Sequence, residues 1–254
     1  MSAIQEVQGE VIWLTGASTG IGRALAIKLA SQGNTVIASA RGQQALNELA
    51  AEHDNIIPLA FDISREDQIE TVRKQLLEHS GHLDRVVLNA GTCEYLDIDQ
   101  PDWTMMQRVM TVNYFGTINS LAVAMPLLEA SARPHIVGVV SLSTVVPFSR
   151  AEAYGSSKAA LQYFFDSLRV DLVKKNIDVT VINPGFVKTP LTDKNDFSMP
   201  FLMSSEEAAD RMANAIAKRP AQFDFPGRLK WILKALGFIP AFWNKVIAPS
   251  LSVK

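Results

Sequence analysis

The sequence predicts an α/β protein in which one parallel sheet is covered by helices on both faces. Short runs of β-branched and apolar residues alternate with longer stretches of helical periodicity, which is the βαβ pattern of a doubly wound sheet. The 254 residues are 48% hydrophobic and 20% charged, so the chain can bury one large core. No repeat, low-complexity tract or linker divides it. We therefore expect a single domain over residues 1–254.

The alternation places each element in order along the chain. The predicted strands cover residues 11–14, 35–40, 56–61, 85–89, 135–141 and 178–183. The predicted helices cover residues 21–32, 43–53, 66–80, 103–129, 154–175 and 205–219. The last helix has a clear start, because the serine and the acidic residues of SSEEAAD favour a helix N-terminus.

Composition excludes several classes of protein. A formal net charge of -2 gives no basic field for nucleic acid, and the four histidines are scattered without ligand spacing, so we predict no metal site. The single cysteine, Cys93, excludes an internal disulfide framework. The first residues lack the pattern of a signal peptide, and no apolar run approaches the roughly 20 residues of a membrane-spanning helix. We expect a cytoplasmic protein.

A glycine-rich turn, TGASTGIG, follows the first strand and opens the first helix. Gly16, Gly20 and Gly22 would let the backbone approach a phosphate, while the helix N-terminus supplies unpaired N–H groups and the positive end of a dipole. The spacing G-x-x-x-G-x-G departs from the usual dinucleotide fingerprint. The alternative is a tight turn that merely needs glycine.

The end of the second strand bears on the identity of a bound dinucleotide. NAD-binding chains usually carry an acid there for the ribose 2′-OH, whereas an arginine suits a 2′-phosphate. This strand ends in Ser39, Ala40 and Arg41, with no acid. NADP(H) is therefore favoured over NAD(H), unless Arg41 is an ordinary solvated side chain.

Tyr154 and Lys158 stand one helical turn apart at the start of a helical run. Residues four apart share a helix face, so the two polar ends can meet. A nearby cation favours phenolate and would lower the pKa of the tyrosine towards the range of a general acid or base. The alternative is a surface pair with no chemistry.

These features together resemble the short-chain dehydrogenase/reductase family, in its type of about 250 residues. The glycine turn, Asn89-Ala90-Gly91, the Tyr-x-x-Ser-Lys pattern of Tyr154 to Lys158, and NPGFVKTP occur in the family's order over nearly the whole chain. The resemblance implies a Rossmann-like, doubly wound parallel sheet in a single domain.

The resemblance also implies functional residues. Ser141, thirteen residues before Tyr154, would polarise the substrate carbonyl, with Ser143 as the fallback; Asn113 would hold a water of a proton relay, unless it only satisfies buried backbone groups. Asp62 and Ile63 would contact adenine, although Asp62 could equally cap the next helix. The full expected cofactor set is Gly16, Ser18, Thr19, Gly20, Ile21, Gly22, Arg41, Asp62, Ile63, Asn89, Ala90, Gly91, Tyr154, Lys158, Pro184, Gly185, Val187 and Thr189.

The implied activity is hydride transfer between NADP(H) and an alcohol or carbonyl substrate. Tyr154 would exchange a proton with the substrate oxygen, Lys158 would lower the pKa of that tyrosine and hold the nicotinamide ribose, and Ser141 would bond the developing oxyanion. The alternative is a non-catalytic, NADPH-binding regulatory or scaffolding protein of the same fold. The resemblance further implies a homodimer or homotetramer.

Two late segments bear on the substrate. Residues 186–203 are expected to form a mobile flap whose apolar residues suggest a lipophilic substrate. Residues 225–254 are apolar and basic without an acid. This segment is expected to contact an anionic membrane surface, to cover a lipophilic site, or to bind a partner.

Overall fold

The computed structural model describes residues 7–251. Residues 1–6 and 252–254 lie outside the described part of the chain, and with them Lys254 of the predicted C-terminal segment. In the described part, a seven-stranded parallel sheet has the strand order β3-β2-β1-β4-β5-β6-β7. The chain reverses its winding between β1 and β4, and ligands of such sheets bind at the carboxyl ends of the strands at this reversal.

All six predicted strands are present within a residue or two. The strands are β1 (Val11–Thr15), β2 (Thr35–Ala40), β3 (Ile56–Ala60), β4 (Arg85–Leu88), β5 (His135–Val139), β6 (Asp178–Pro184) and β7 (Gln222–Phe225). The seventh strand is not predicted from the sequence, because the short run QFDF has an acid in place of a β-branched residue and lies at the sheet edge. The predicted α/β class with a doubly wound parallel sheet is confirmed.

Helices connect the strands and cover both faces of the sheet. They are α1 (Gly20–Ser31), α2 (Gln43–Ala50), α3 (Ile69–His79), α4 (Thr104–Met110), α5 (Gly116–Glu129), α6 (Glu152–Leu172), α7 (Ser205–Lys218), α8 (Gly227–Gly237), α9 (Pro240–Phe242) and α10 (Ala248–Leu251). The α7 start is the predicted capping box, in which Ser204 and Glu207 bond each other's backbone N–H. Within residues 7–251, no helix is both long and apolar enough to cross a membrane.

Two apolar cores hold the layers together. On one face, α1 and α7 pack against the sheet through residues such as Leu25, Leu29 and Met212. On the other face, α3, α5 and α6 pack around Trp13 and Phe165. Both faces of β1, β4 and β5 are buried, which is why these strands are continuous apolar runs.

The predicted helix over 103–129 is interrupted at the site. A π-helical segment, Thr111–Phe115, separates α4 from α5, and the buried Asn113 lies within it. The interruption turns Asn113 towards Thr92 and Ser157, to which its side chain is hydrogen-bonded. Such π-turns often mark functional positions, and periodicity alone does not predict them.

The predicted C-terminal segment is packed onto the body through one side. Leu229 and Leu233 of α8 and Trp243 form a third apolar cluster with Leu142 and Val146. The Trp243 Nε1 donates a hydrogen bond to the Pro147 carbonyl oxygen at 2.6 Å.

Candidate active site

The glycine turn between β1 and α1 has the conformation that the sequence predicts. Gly16 and Gly20 have φ angles of +70° and +54°, which L-residues with side chains rarely adopt. Gly22 is required by space, because a Cβ atom there would lie 2.1 Å from the Gly16 oxygen and 2.6 Å from Asn89 Nδ2. The turn therefore presents bare backbone beside the N-terminus of α1, an arrangement that suits a phosphate.

Asn89 holds this turn against the end of β4. Its Nδ2 donates to the Thr15 and Gly16 carbonyl oxygens at 3.1 and 3.2 Å. The Thr15 hydroxyl accepts in return from the backbone N–H groups of Asn89 and Ala90. The Asn89 side chain thus positions the turn, whereas the sequence only suggests that it lies near the cofactor.

One cleft of about 930 Å³ runs along the carboxyl ends of the strands. Its lining contains every residue of the expected cofactor set, together with Ser141. These residues are Gly16, Ser18, Thr19, Gly20, Ile21, Gly22, Arg41, Asp62, Ile63, Asn89, Ala90, Gly91, Ser141, Tyr154, Lys158, Pro184, Gly185, Val187 and Thr189. The bare glycine cradle at one end and the hydroxyl and ammonium groups at the other fit an extended dinucleotide.

The end of β2 offers a cation to this cleft. Arg41 is exposed and lines the cleft. Ser39, where an acid could stand, accepts a hydrogen bond from Trp13 Nε1 at 2.8 Å. Asp62 bonds the backbone N–H and hydroxyl of Ser64, so it closes a local turn rather than capping α3.

Ser141 and Tyr154 meet in the cleft. The strand β5 ends at Val139, and Ser141 caps a short 3₁₀ turn, Leu142–Thr144, where its hydroxyl accepts from the Ser143 N–H at 3.1 Å. The Ser141 hydroxyl lies close enough to the Tyr154 hydroxyl to lower the pKa of the phenol by hydrogen bonding. The chain turns after Ser141, so the fallback residue Ser143 does not continue the strand. The Ser143 hydroxyl is buried without a partner in the described structure.

Lys158 lies beneath Tyr154 on the same face of α6. It is buried, and its Nζ donates to the Val139 carbonyl oxygen at 3.0 Å. The same nitrogen is 5.8 Å from the centre of the Tyr154 ring. The predicted i, i+4 arrangement is therefore present, but the ammonium is held by a backbone carbonyl rather than by the phenol oxygen.

The pKa of Tyr154 shifts in the direction opposite to the one expected. Desolvation raises the pKa of Tyr154 to about 12, and the hydrogen bond with Ser141 only partly offsets this. Burial also lowers the pKa of Lys158 to about 8. The expectation that Lys158 lowers the tyrosine pKa is wrong, since the removal of the phenol from water dominates its ionisation.

The Asn113 side chain is fully engaged within the protein. Its Oδ1 accepts from the Thr92 N–H at 2.7 Å, and its Nδ2 donates to the Thr92 oxygen and the Ser157 hydroxyl, each at 2.9 Å. The Asn113 main-chain oxygen also accepts from the Thr117 hydroxyl. The expected role of Asn113 in holding a relay water stays a prediction.

Sequence reasoning misses two residues beside the tyrosine. Cys93 and Tyr95 follow the Asn89-Ala90-Gly91 turn. Their side chains affect each other's pKa, and both lie close enough to Tyr154 to interact with it electrostatically. Burial raises the pKa of the Cys93 thiol, and the Tyr95 hydroxyl donates to Asn195 Oδ1 in the predicted flap at 2.6 Å. No spacing pattern marks either residue.

A second, apolar cavity of about 180 Å³ adjoins the cleft. Gly185 lines the cleft, and the next residue, Phe186, lines this cavity. Tyr95 also lines the cavity and lies close enough to Tyr154 to interact with it electrostatically. Its other walls come from the predicted flap and from α8 and the residues beyond it, including Phe197, Leu233 and Trp243. The flap is closed at its base by hydrogen bonds of Met203 with Phe186 and Lys188; its predicted mobility stays a prediction.

A nucleotide cleft at the winding reversal, with a serine, a tyrosine and a lysine at its inner end, defines a class of dinucleotide-dependent oxidoreductases. The sequence pattern described as short chain dehydrogenase matches residues 10–199. The chain belongs to this family, as its motifs suggest, and is an oxidoreductase with a Rossmann-like fold.

Relatives and solved structures agree with this assignment. An "Uncharacterized oxidoreductase" of Myxococcus xanthus (strain DK1622) is 36% identical over 220 residues, which cover 85% of this chain and 87% of the relative. The Pseudomonas aeruginosa RhlG/NADP active-site complex has a TM-score of 0.80 at 26% identity, covering 91% of this chain and all of that one. A 3-ketoacyl-(acyl-carrier-protein) reductase from Brucella melitensis complexed with NADH has a TM-score of 0.79 at 23% identity, covering 87% and 98%.

Proposed function

We propose that the protein is an NADP(H)-dependent oxidoreductase that interconverts an alcohol and a carbonyl compound. The observation that carries this proposal is that Ser141, Tyr154 and the buried Lys158 lie together in the lining of a cleft that begins in a bare glycine turn. Metal-free acid chemistry on a polarised C–O bond suits these three side chains.

Each group has a defined task in the reducing direction. A bound nicotinamide dinucleotide would supply the hydride that goes to the carbonyl carbon. Tyr154 donates its proton to the carbonyl oxygen, and its pKa of about 12 keeps the phenol protonated near neutral pH. Ser141 donates a hydrogen bond that strengthens as negative charge grows on that oxygen. Lys158, which lines the cleft and donates to the Val139 carbonyl oxygen, would also hold the ribose hydroxyls of the bound dinucleotide.

The preference for NADP(H) rests on the end of β2. Arg41 faces the cleft there, and no acid accompanies it. A guanidinium can bond a 2′-phosphate through two parallel N–H groups. The RhlG structure contains NADP, which agrees with this proposal, whereas the Brucella reductase contains NADH.

The second cavity supports an apolar substrate. Its lining is dominated by aromatic and aliphatic side chains, and it adjoins the cleft beside Tyr154. We propose that the reacting carbonyl lies at Tyr154 and that an attached apolar group enters this cavity.

The protein would act in the cytoplasm as a homo-oligomer, in part at a membrane surface.

A non-catalytic, NADPH-binding regulator of the same fold is the alternative. Fluorescence titration with NADPH and NADH, followed by a panel of ketones, aldehydes and the matching alcohols, separates the two. We expect tighter binding of NADPH and turnover of at least one apolar carbonyl compound. Tight binding without turnover on either panel would contradict the enzymatic proposal and favour the regulator.

A further inference from the structure

The segment after β7 exposes an unusual number of large apolar side chains. Trp231 is 66% exposed, Phe238 87% and Phe242 44%, and Ile239 and Val246 are also more than half exposed. Phe238 directly follows α8 and is seven residues from Trp231, so the two side chains project from the same side of this helix. We call the exposed side chains of this side, of α9 and of the π-helical turn that follows it the outer face (231–246).

The exposure is not a consequence of a loosely attached helix. Leu229 and Leu233 on the opposite side of α8 are buried, and Trp243 is buried with its indole N–H bonded to Pro147. The segment is therefore anchored by its inner side. The fold does not need the aromatic side chains of the outer face for its core, and these side chains are exposed to solvent.

Positive charge surrounds this apolar surface. The sequence has no acid after Asp224, whereas Arg228, Lys230, Lys234 and Lys245 follow it. The ammonium groups of Lys230 and Lys234 lie 5.4 and 5.6 Å from the Trp231 ring centre, and Lys230 also pairs with Asp224 at 2.9 Å. An exposed tryptophan flanked by lysines combines the two terms that bind proteins to anionic lipid.

The positive charge of the outer face favours an anionic bilayer over a second copy of the chain as its partner. A second copy of the chain would bring the same cationic surface against itself in a two-fold contact, and like charges oppose such a contact. An anionic bilayer offers phosphate groups to the lysines and an interface to the aromatic rings.

We propose that the outer face (231–246) binds the surface of an anionic lipid bilayer. The contact also places the apolar cavity near lipid, because Ile232 lines that cavity and is 46% exposed beside Trp231. A substrate with an apolar chain can then enter from the bilayer. This last step rests on the proposed function; binding to the bilayer does not.

Vesicle flotation of the full-length protein tests the proposal directly. We expect the protein to float with phosphatidylcholine vesicles that contain phosphatidylserine, to float far less with phosphatidylcholine alone, and to be released by high salt. Trp231→Glu combined with Phe238→Glu should abolish flotation. Lys234→Glu combined with Lys245→Glu should lower the partition coefficient at least tenfold, since each basic residue near an anionic surface contributes about fivefold.

Trp103→Glu is the matched control, because Trp103 is 59% exposed but lies outside the segment. It should float like the unmodified protein, and light scattering should give all variants one mass. If the unmodified protein stays at the bottom of the gradient with both vesicle types, the proposal is overturned. The Trp231→Glu, Phe238→Glu variant could instead have a lower mass by light scattering and still float normally. That result would show that the outer face binds a second copy of the chain.

The outcome is separable from the proposed enzymatic function. Flotation is measured without NADPH or substrate, and Tyr154→Phe should float normally. Turnover without flotation would overturn the membrane contact alone. Flotation without turnover would contradict the enzymatic function alone.

Discussion

The burial of Lys158 lowers the stability of the folded chain, although the proposed chemistry requires this lysine. A buried ammonium is charged in both the folded and the unfolded chain below pH 8, but only the folded chain holds that charge away from water. The pKa falls from 10.5 to about 8, which corresponds to a cost of about 3 kcal/mol at neutral pH. The cost is fully present below pH 8 and disappears as the pH rises to 10.5.

We therefore predict that Lys158→Met abolishes turnover yet makes the unliganded protein more stable at pH 7. The gain should be roughly 2 kcal/mol, after the lost hydrogen bond to Val139 is subtracted. Urea unfolding between pH 7 and 10.5 measures it, and the gain should shrink and change sign across that range. A variant that is less stable at pH 7 would contradict the assigned cost of burial.

Arg41 makes a second prediction at the residue scale. Arg41→Ala should raise the Kd for NADPH about tenfold or more and leave the Kd for NADH nearly unchanged, since a charge-assisted phosphate contact contributes roughly 1.5–3 kcal/mol. Fluorescence titration with both nucleotides measures this difference. Arg65→Ala, at an exposed arginine that pairs with Asp67, is the control. An unchanged preference in Arg41→Ala would refute the role of Arg41.

At the scale of elements, the turn between β1 and α1 depends on one close approach. The backbone of Gly16, the side chain of Asn89 and the Cα of Gly22 are packed without space for a methyl group. Sequence spacing predicts that glycine is needed there but cannot tell which glycine serves conformation and which serves space. In the structure, Gly22 is required by space alone, whereas Gly16 and Gly20 combine a positive φ angle with a lack of space for a Cβ atom.

Gly22→Ala should therefore weaken NADPH binding at least tenfold and lower stability by roughly 1–3 kcal/mol, because the turn must move apart. Titration and thermal unfolding measure the two effects. Gly81→Ala is the control, since nothing lies within 4 Å of a Cβ atom there, and it should change stability by less than about 0.5 kcal/mol. Normal nucleotide binding by Gly22→Ala would show that this close approach is not required.

At the scale of the whole molecule, the alternation of strands and helices can be predicted from the sequence, because strands and helices differ in the period of their apolar residues. Right-handed crossovers then determine which face of the sheet each helix covers, but not the order of the strands. Features that depend on three-dimensional surroundings cannot be predicted in this way. They are the π-turn at Asn113, the end of β5 before Ser141 and the short edge strand β7. The pKa of Tyr154 belongs with these, because spacing reveals the nearby cation but not the loss of solvent.

The second cavity predicts a chain-length dependence for the whole enzyme. For a series of straight-chain methyl ketones, kcat/KM should rise about threefold to fourfold per methylene, at about 0.8 kcal/mol each, until the cavity is filled. Leu236→Trp, which places a larger side chain in the wall, should flatten the series. A flat series in the unmodified protein would show that the substrate does not use this cavity.

Tyr154→Phe tests the central claim most directly, with turnover and the Kd for NADPH measured on the same preparation. The variant removes the hydroxyl that lies close to Ser141 and leaves the ring, the lysine and the glycine turn in place. The account predicts a loss of turnover of at least a hundredfold with a Kd within about twofold of the unmodified protein. Turnover that survives in Tyr154→Phe would contradict the assignment of Tyr154 as the proton donor.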